Sequence, residues 1–177
     1  KAEIGIDYLG GSNNPIYFNT KVGVGENALF CNSPSFSAGV YGVGTKRNRT
    51  NFNIFDAVIG KNIEMIEATF YFGGYYGNSI LGHDRGGWMI GFEKGFCRTC
   101  DPCSGEEYYE WKLLGDYASG RNFVGGGGVG LAYYFTKDIN IKTGPVWFNE
   151  SRYDGTWKWT VQLDFEVPVV DYCGCCY

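Results

Sequence analysis

The chain has 177 residues, of which 18% are aromatic and only 19% charged, with 28 glycines and a formal net charge of −4. That length fits one domain. The acidic balance excludes the basic face a nucleic-acid partner requires, and no run approaches the roughly 18–20 apolar residues of a membrane-crossing helix.

Tyr, Phe, Trp and Gly in these amounts favour strands and tight turns. The chain opens at Lys1 without a signal peptide, as expected of the mature form of an exported protein. Seven cysteines suit an oxidising compartment, and if all are oxidised the odd number leaves one to pair outside the chain.

Ten strands are predicted, near 2–9, 16–25, 37–45, 52–61, 66–76, 87–96, 107–118, 124–135, 139–148 and 156–167. Turn-forming clusters separate them, among them Gly-Gly-Ser-Asn-Asn-Pro at 10–15, Lys-Arg-Asn-Arg-Thr-Asn at 46–51 and Ser-Gly-Arg-Asn at 119–122. No segment holds an apolar period of 3.6, so no helix is predicted.

Period two runs through most of these segments. Ala2, Ile4, Ile6 and Tyr8 oppose Glu3, Gly5 and Asp7, and Ile16, Phe18, Val22 and Val24 oppose Asn19, Lys21, Gly23 and Gly25. Strands 37–45 and 52–61 alternate less clearly, and Asp56 interrupts an apolar run. Further on, Trp88, Ile90 and Phe92 oppose Gly91 and Glu93, and Tyr109, Trp111, Leu113 and Tyr117 oppose Glu110, Lys112 and Asp116. Val129, Leu131, Tyr133 and Phe135 oppose Gly128, Gly130 and Ala132. The last strand has no errors: Trp157, Trp159, Val161, Leu163, Phe165 and Val167 face away from Thr156, Lys158, Thr160, Gln162, Asp164 and Glu166.

Such a sheet fits two arrangements. A soluble barrel or sandwich turns the bulky apolar face inward, whereas a membrane barrel turns it toward lipid and keeps a polar lumen. Size favours the second, because ten strands of Trp, Tyr, Phe and Leu overfill a small interior. The expected fold is therefore an all-β, up-and-down antiparallel β-barrel of about ten strands over residues 1–167, with an apolar exterior and a polar, charged interior. A Cys-rich tail follows at 168–177. The lumen charges are Glu3, Asp7, Lys21, Glu93, Glu110, Lys112, Asp116, Lys142, Lys158 and Asp164, with Glu67 and Glu166 beside them. The exterior aromatic face is Trp88, Trp111, Trp147, Trp157, Trp159 and Phe165, and aromatics near strand ends suit interfacial girdles.

The segment from Val129 to Trp147 is a Gly/aromatic strand, a short polar turn and a returning strand, and the final strand ends on Phe165. In this pattern the chain resembles the small outer-membrane β-barrel proteins of Gram-negative bacteria. The resemblance implies a cell-surface or outer-membrane location and lipid as the partner. It departs from the family where about a dozen residues follow the terminal aromatic.

Ten up-and-down strands place every cysteine at the end that holds the termini. Cys31 follows the second strand, Cys97, Cys100 and Cys103 follow the sixth, and Cys173, Cys175 and Cys176 follow the tenth. Three uses compete: disulfides within or between chains, a metal or iron–sulfur site on Cys97, Cys100 and Cys103, and inert thiols. A tail bonded to the next subunit would make a head-to-tail filament of stacked barrels.

No catalytic set stands out. His83 sits at a loop tip, and Glu110 with Asp116 reads better as lumen charge than as an acid/base pair. Gly125–Gly128 lacks the Lys-Ser/Thr of a phosphate loop and reads as a close-packed strand start. Asn48 and Asn149 open glycosylation-type triplets in loops opposite the cysteines. The expected function is a barrel with a side-chain-filled lumen, structural, adhesive or a very narrow pore, with no cofactor and no enzymatic activity. The alternatives are an extracellular filament joined through the Cys-rich end, or a soluble lipocalin-like barrel that binds a ligand among its apolar residues.

Overall fold

The computed structural model describes residues 1–8, 16–44, 52–102 and 104–165. It is all-β. The strands are β1 (Ala2–Tyr8), β2 (Ile16–Val24), β3 (Ser35–Gly44), β4 (Ile54–Ile63) and β5 (Ala68–Tyr76), then β6 (Gly86–Cys100), β7 (Glu107–Ala118), β8 (Gly126–Thr136), β9 (Ile139–Phe148) and β10 (Trp157–Phe165). Two 3₁₀ turns and the four-residue α1 (Ser151–Asp154) are the helical pieces among the described residues. Each strand pairs antiparallel with the next in sequence, in one sheet of order β1 to β10.

Register turns the period-two pattern into two continuous faces. One outward row crosses the sheet through Val24, Phe36, Ile59, Phe72, Ile90, Tyr117, Gly127, Trp147 and Trp157, each opposite the next. An inward row runs from Lys112 through Ala132 and Lys142 to Gln162. A slip of one residue would exchange the faces, so the pattern fixes the pairing.

The two less clear strands have local causes. The β2–β3 ladder shifts between Phe18 and Thr20, and Gly42 in β3 has φ +62°, a left-handed conformation that glycine takes without a Cβ penalty. In β4 the phase holds, with Asp56 inward, but Ile54 and Val58 also point inward and Lys61 points out. β6 continues past its predicted end, because Arg98, Thr99 and Cys100 pair with Tyr109, Tyr108 and Glu107.

The ten strands form one sheet that is not closed into a barrel. β1 pairs only with β2 and β10 only with β9, so the sheet has two edges and no ladder joins them. The sheet is nonetheless curled, since Val58 of β4 and Gln162 of β10 line the same cavity of about 400 Å³. Glu3 and Ile4 of β1 share another with Phe165 of β10. No helix among the described residues is long and apolar enough to cross a membrane. The tail at 168–177 and the loops at 9–15 and 45–51 lie outside the described residues.

Glycines on the concave face let strands β8 and β9 approach closely. A Cβ on Gly144 would collide with the Val129 carbonyl oxygen and lie 2.6 Å from the Gly130 Cα, both backbone atoms that cannot swing aside. Gly144→Val is expected to destabilise the fold by about 2–3 kcal/mol, as overpacking does. Gly25→Ala, with nothing within 4 Å of the new methyl, is expected to leave it nearly unchanged. Denaturant midpoints of the two variants check this.

Candidate functional site

The concave face gathers the charges that period two assigns to it. Lys142 Nζ and the Asp164 carboxylate pair at 2.5 Å across the β9–β10 ladder. Lys112 lies 3.8 Å from Glu93 and 5.0 Å over the Tyr134 ring. The Asn19 amide donates to Asp7 at 2.6 Å, and Lys158 sits 5.6 Å over the Phe148 ring. Glu93, Asp116 and Lys142 line the 400 Å³ cavity together with Tyr71 and Gln162. Glu3 and Lys21 line a second cavity of about 240 Å³, which shares Val58 and Tyr71 with the first. Of these charges Lys21, Glu93, Lys112, Lys142 and Asp164 are half-buried, where pairing and ring contacts lower the cost of leaving bulk water, and Glu3, Asp7, Asp116 and Lys158 are exposed. Glu110 makes no ion pair among the described residues.

Glu67 does not lie on a strand face with the other charges. It closes the β4–β5 turn with φ 51° and receives Arg98 Nη2 at 3.2 Å. Arg98 also meets Glu107 and stacks 5.3 Å over Tyr109, and Tyr109 covers Gly95. Period two breaks here because Cys97 takes a left-handed φ of 54°. Glu166 lies outside the described residues.

The convex face is apolar and bare. Trp157, Trp159 and Phe165 are 64%, 63% and 64% exposed, and Trp88, Trp111 and Trp147 are exposed as well. Neighbouring rings meet across the ladders, Trp88 with Tyr117 at 5.3 Å and Trp111 with Tyr133 at 4.7 Å. Outward charges on the strands gather near the terminus end. Lys61 pairs with Glu26 at 2.5 Å and bonds Asn32, while Lys94 bonds the Ile66 carbonyl.

A third feature was not anticipated. Among the described residues, Phe52 and the connections 77–85 and 119–125, opposite the termini, fold over the sheet's end as a packed cap. Leu81 is fully buried, Asn122 is 1% exposed and Tyr75, on the concave side of β5, is buried beneath them. Phe52 stacks between Tyr17 and Phe123 at 6.0 and 5.3 Å. The Asn122 amide is saturated: its nitrogen donates to Tyr75 Oη at 2.8 Å and to the Asp84 carbonyl at 2.9 Å, while its oxygen accepts from the Val124 and Gly125 amides. The signal for this cap was the set of apolar residues Phe52, Leu81 and Phe123 within otherwise polar connections.

The remaining candidates find plain surroundings. His83 is exposed, 2.9 Å from the Asp84 carboxylate. Gly125 abuts the Gly120 carbonyl, as a close-packed strand start requires. The Asn149 amide nitrogen is spent on the Ala118 and Gly120 carbonyls, while Asn48 lies outside the described residues. Cys97 and Cys100 sit in β6 itself, not in the following connection, because the ladder extends past Phe96. With Cys31 they lie at the terminus end, exposed and unbridged. Cys103, Cys173, Cys175 and Cys176 lie outside the described residues.

No family model matches this chain, and no curated protein or solved structure matches it either.

Asp84 ties two cap loops together. Its carboxylate accepts the Arg121 backbone N–H at 2.7 Å, and this bond, with His83 beside it, holds its pKa below the ordinary aspartate value. A depressed carboxyl stabilises the folded form above its unfolded pKa and loses that contribution as pH falls through the folded one. Protection of the Arg121 amide, taken relative to its intrinsic exchange rate at each pH, is therefore expected to fall as acid protonates Asp84, with a midpoint below that of a free aspartate. In Asp84→Asn the inflection is expected to vanish; an unchanged acid profile in that variant would refute the tie.

Proposed function

We propose that this chain is an outer-membrane-type β-barrel with a side-chain-filled lumen, a structural or adhesive surface element and not an enzyme, and that β1 closes against β10. The carrying observation is the exposed apolar belt on one face with the paired charges on the other. Moving a Trp, Phe or Leu side chain from water into hydrocarbon yields about 1.5–3 kcal/mol, and the belt offers such residues on strand after strand. Membrane barrels require this inversion, with lipid-facing apolar side chains and a polar interior. The cavity shared by β4 and β10, and the space that β1 and β10 flank together, support a sheet curled far enough to bring its two edges toward each other. Ten strands lie near the about eight whose interior side chains just fill, far from the about 16–18 of open porins. The outward tryptophans speak against a lipocalin-like interior. Bacterial outer membrane or cell surface is the corresponding location, with lipid as partner.

A filament of stacked barrels has one observation in its favour, the exposed Cys31, Cys97 and Cys100 at a single end. In that assembly neighbouring copies, not lipid, would cover the belt.

All five tryptophans are on the convex face. Reconstituted into vesicles of brominated phosphatidylcholine, the protein is expected to lose most of its tryptophan fluorescence, while aqueous acrylamide quenches little. Protein that stays soluble without detergent, escapes the bromine and ladders on non-reducing gels would transfer the assignment to the filament.

A further inference from the structure

We infer that the interior is a blind passage, open toward the terminus end and stoppered by the loop cap, with Asn122 as the tie that keeps the stopper seated. The inference rests on the barrel reading above. The two interior cavities share Val58 and Tyr71 in their walls, so Tyr71 stands between two neighbouring chambers. The smaller chamber reaches Lys1, Gly25 and Ser35, all at the terminus end. In the opposite direction the larger chamber stops at Gly73, Met89, Asp116, Gly128 and Thr160. The next inward residue of β5 is Tyr75, already buried under Asn122 and bonded to the Ser119 carbonyl. Toward the cap, water and small ions thus find no exit among the described residues; the seam between β1 and β10, which flanks a further cavity reaching Ile4 and Phe165, is shut on the barrel reading.

The stopper belongs to connections, not to the sheet. One side chain, Asn122, joins the β7–β8 connection to Tyr75 of β5 and to Asp84 of the β5–β6 connection, and Leu81 fills the space beside it. Loops held by a few contacts open at lower free energy than the ladders they connect. Unseating the cap should therefore leave the ten strands paired and extend the chambers to the far side.

Full-length protein in planar bilayers with KCl on both sides tests this. Wild type is expected to be silent, and Asn122→Ala is expected to show small unitary current steps. Leu81→Ala, which keeps every Asn122 bond, is expected to show them at lower open probability and guards against a folding defect in the first variant. Adding Tyr71→Ala to Asn122→Ala is expected to enlarge each step at least twofold. Steady wild-type currents equal to those of the variants would show that nothing stoppers the lumen. Silent variants that still give lipid quenching of tryptophan would show that no passage lies beneath the cap. Absence of that quenching in wild type would instead bring down the barrel reading, and the passage with it.

Discussion

A β-strand alternates its side chains between two sides, and here that alternation separates greasy bulk from charge. The rest of the molecule depends on this separation surviving from strand to strand. It survives because neighbouring ladders keep phase, as in the row from Val24 to Trp157. The concave side must then hold lysines and carboxylates in little space. It does so by pairing them, as Lys142 and Asp164 do, and by placing glycines opposite large rings, as Gly60 lies against Tyr71. The convex side pays no such penalty as long as something apolar covers it.

Much of this was legible in the sequence, and the reasons are physical. Strands with one residue type per face, such as β10, declare both their extent and their orientation. All ten predicted segments coincide with strands to within a few residues, and the ladders put Lys112, Lys142 and Gln162 in one row. Difficulty arose where the backbone leaves the regular pleat. Gly42 and Cys97, both at positive φ, break the count, which blurred the third strand and hid the last residues of β6. Glu67 had the parity of a lumen residue but sits in a turn, where parity has no meaning. The closed barrel expected from the sequence is not seen, since no ladder joins β1 to β10, and no local pattern records whether two edge strands at opposite ends of a chain meet.

The cap illustrates a different limit. Connections carry no periodicity, so their tertiary roles show only as residues out of character. Asn122 looked like a turn former. Its position instead lets one amide satisfy four partners drawn from three parts of the chain. A buried, fully bonded amide of this kind specifies a single arrangement, since any alternative seating leaves polar groups unpaired away from water. The cap and the sheet therefore have separate bases of stability, one polar and local, the other set by ladder pairing.

Every ladder in the sheet joins sequence neighbours, so each hairpin closes only a short loop and assembly can spread outward from several starting points at little entropic expense. The two outermost strands are the exception. Each pairs on one side only, and its other side displays a row of unused amide and carbonyl groups that any other extended peptide can adopt. The dangerous moment in the life of this protein is thus late, after most of the architecture is already in place, and it is most dangerous where many copies are being made at once.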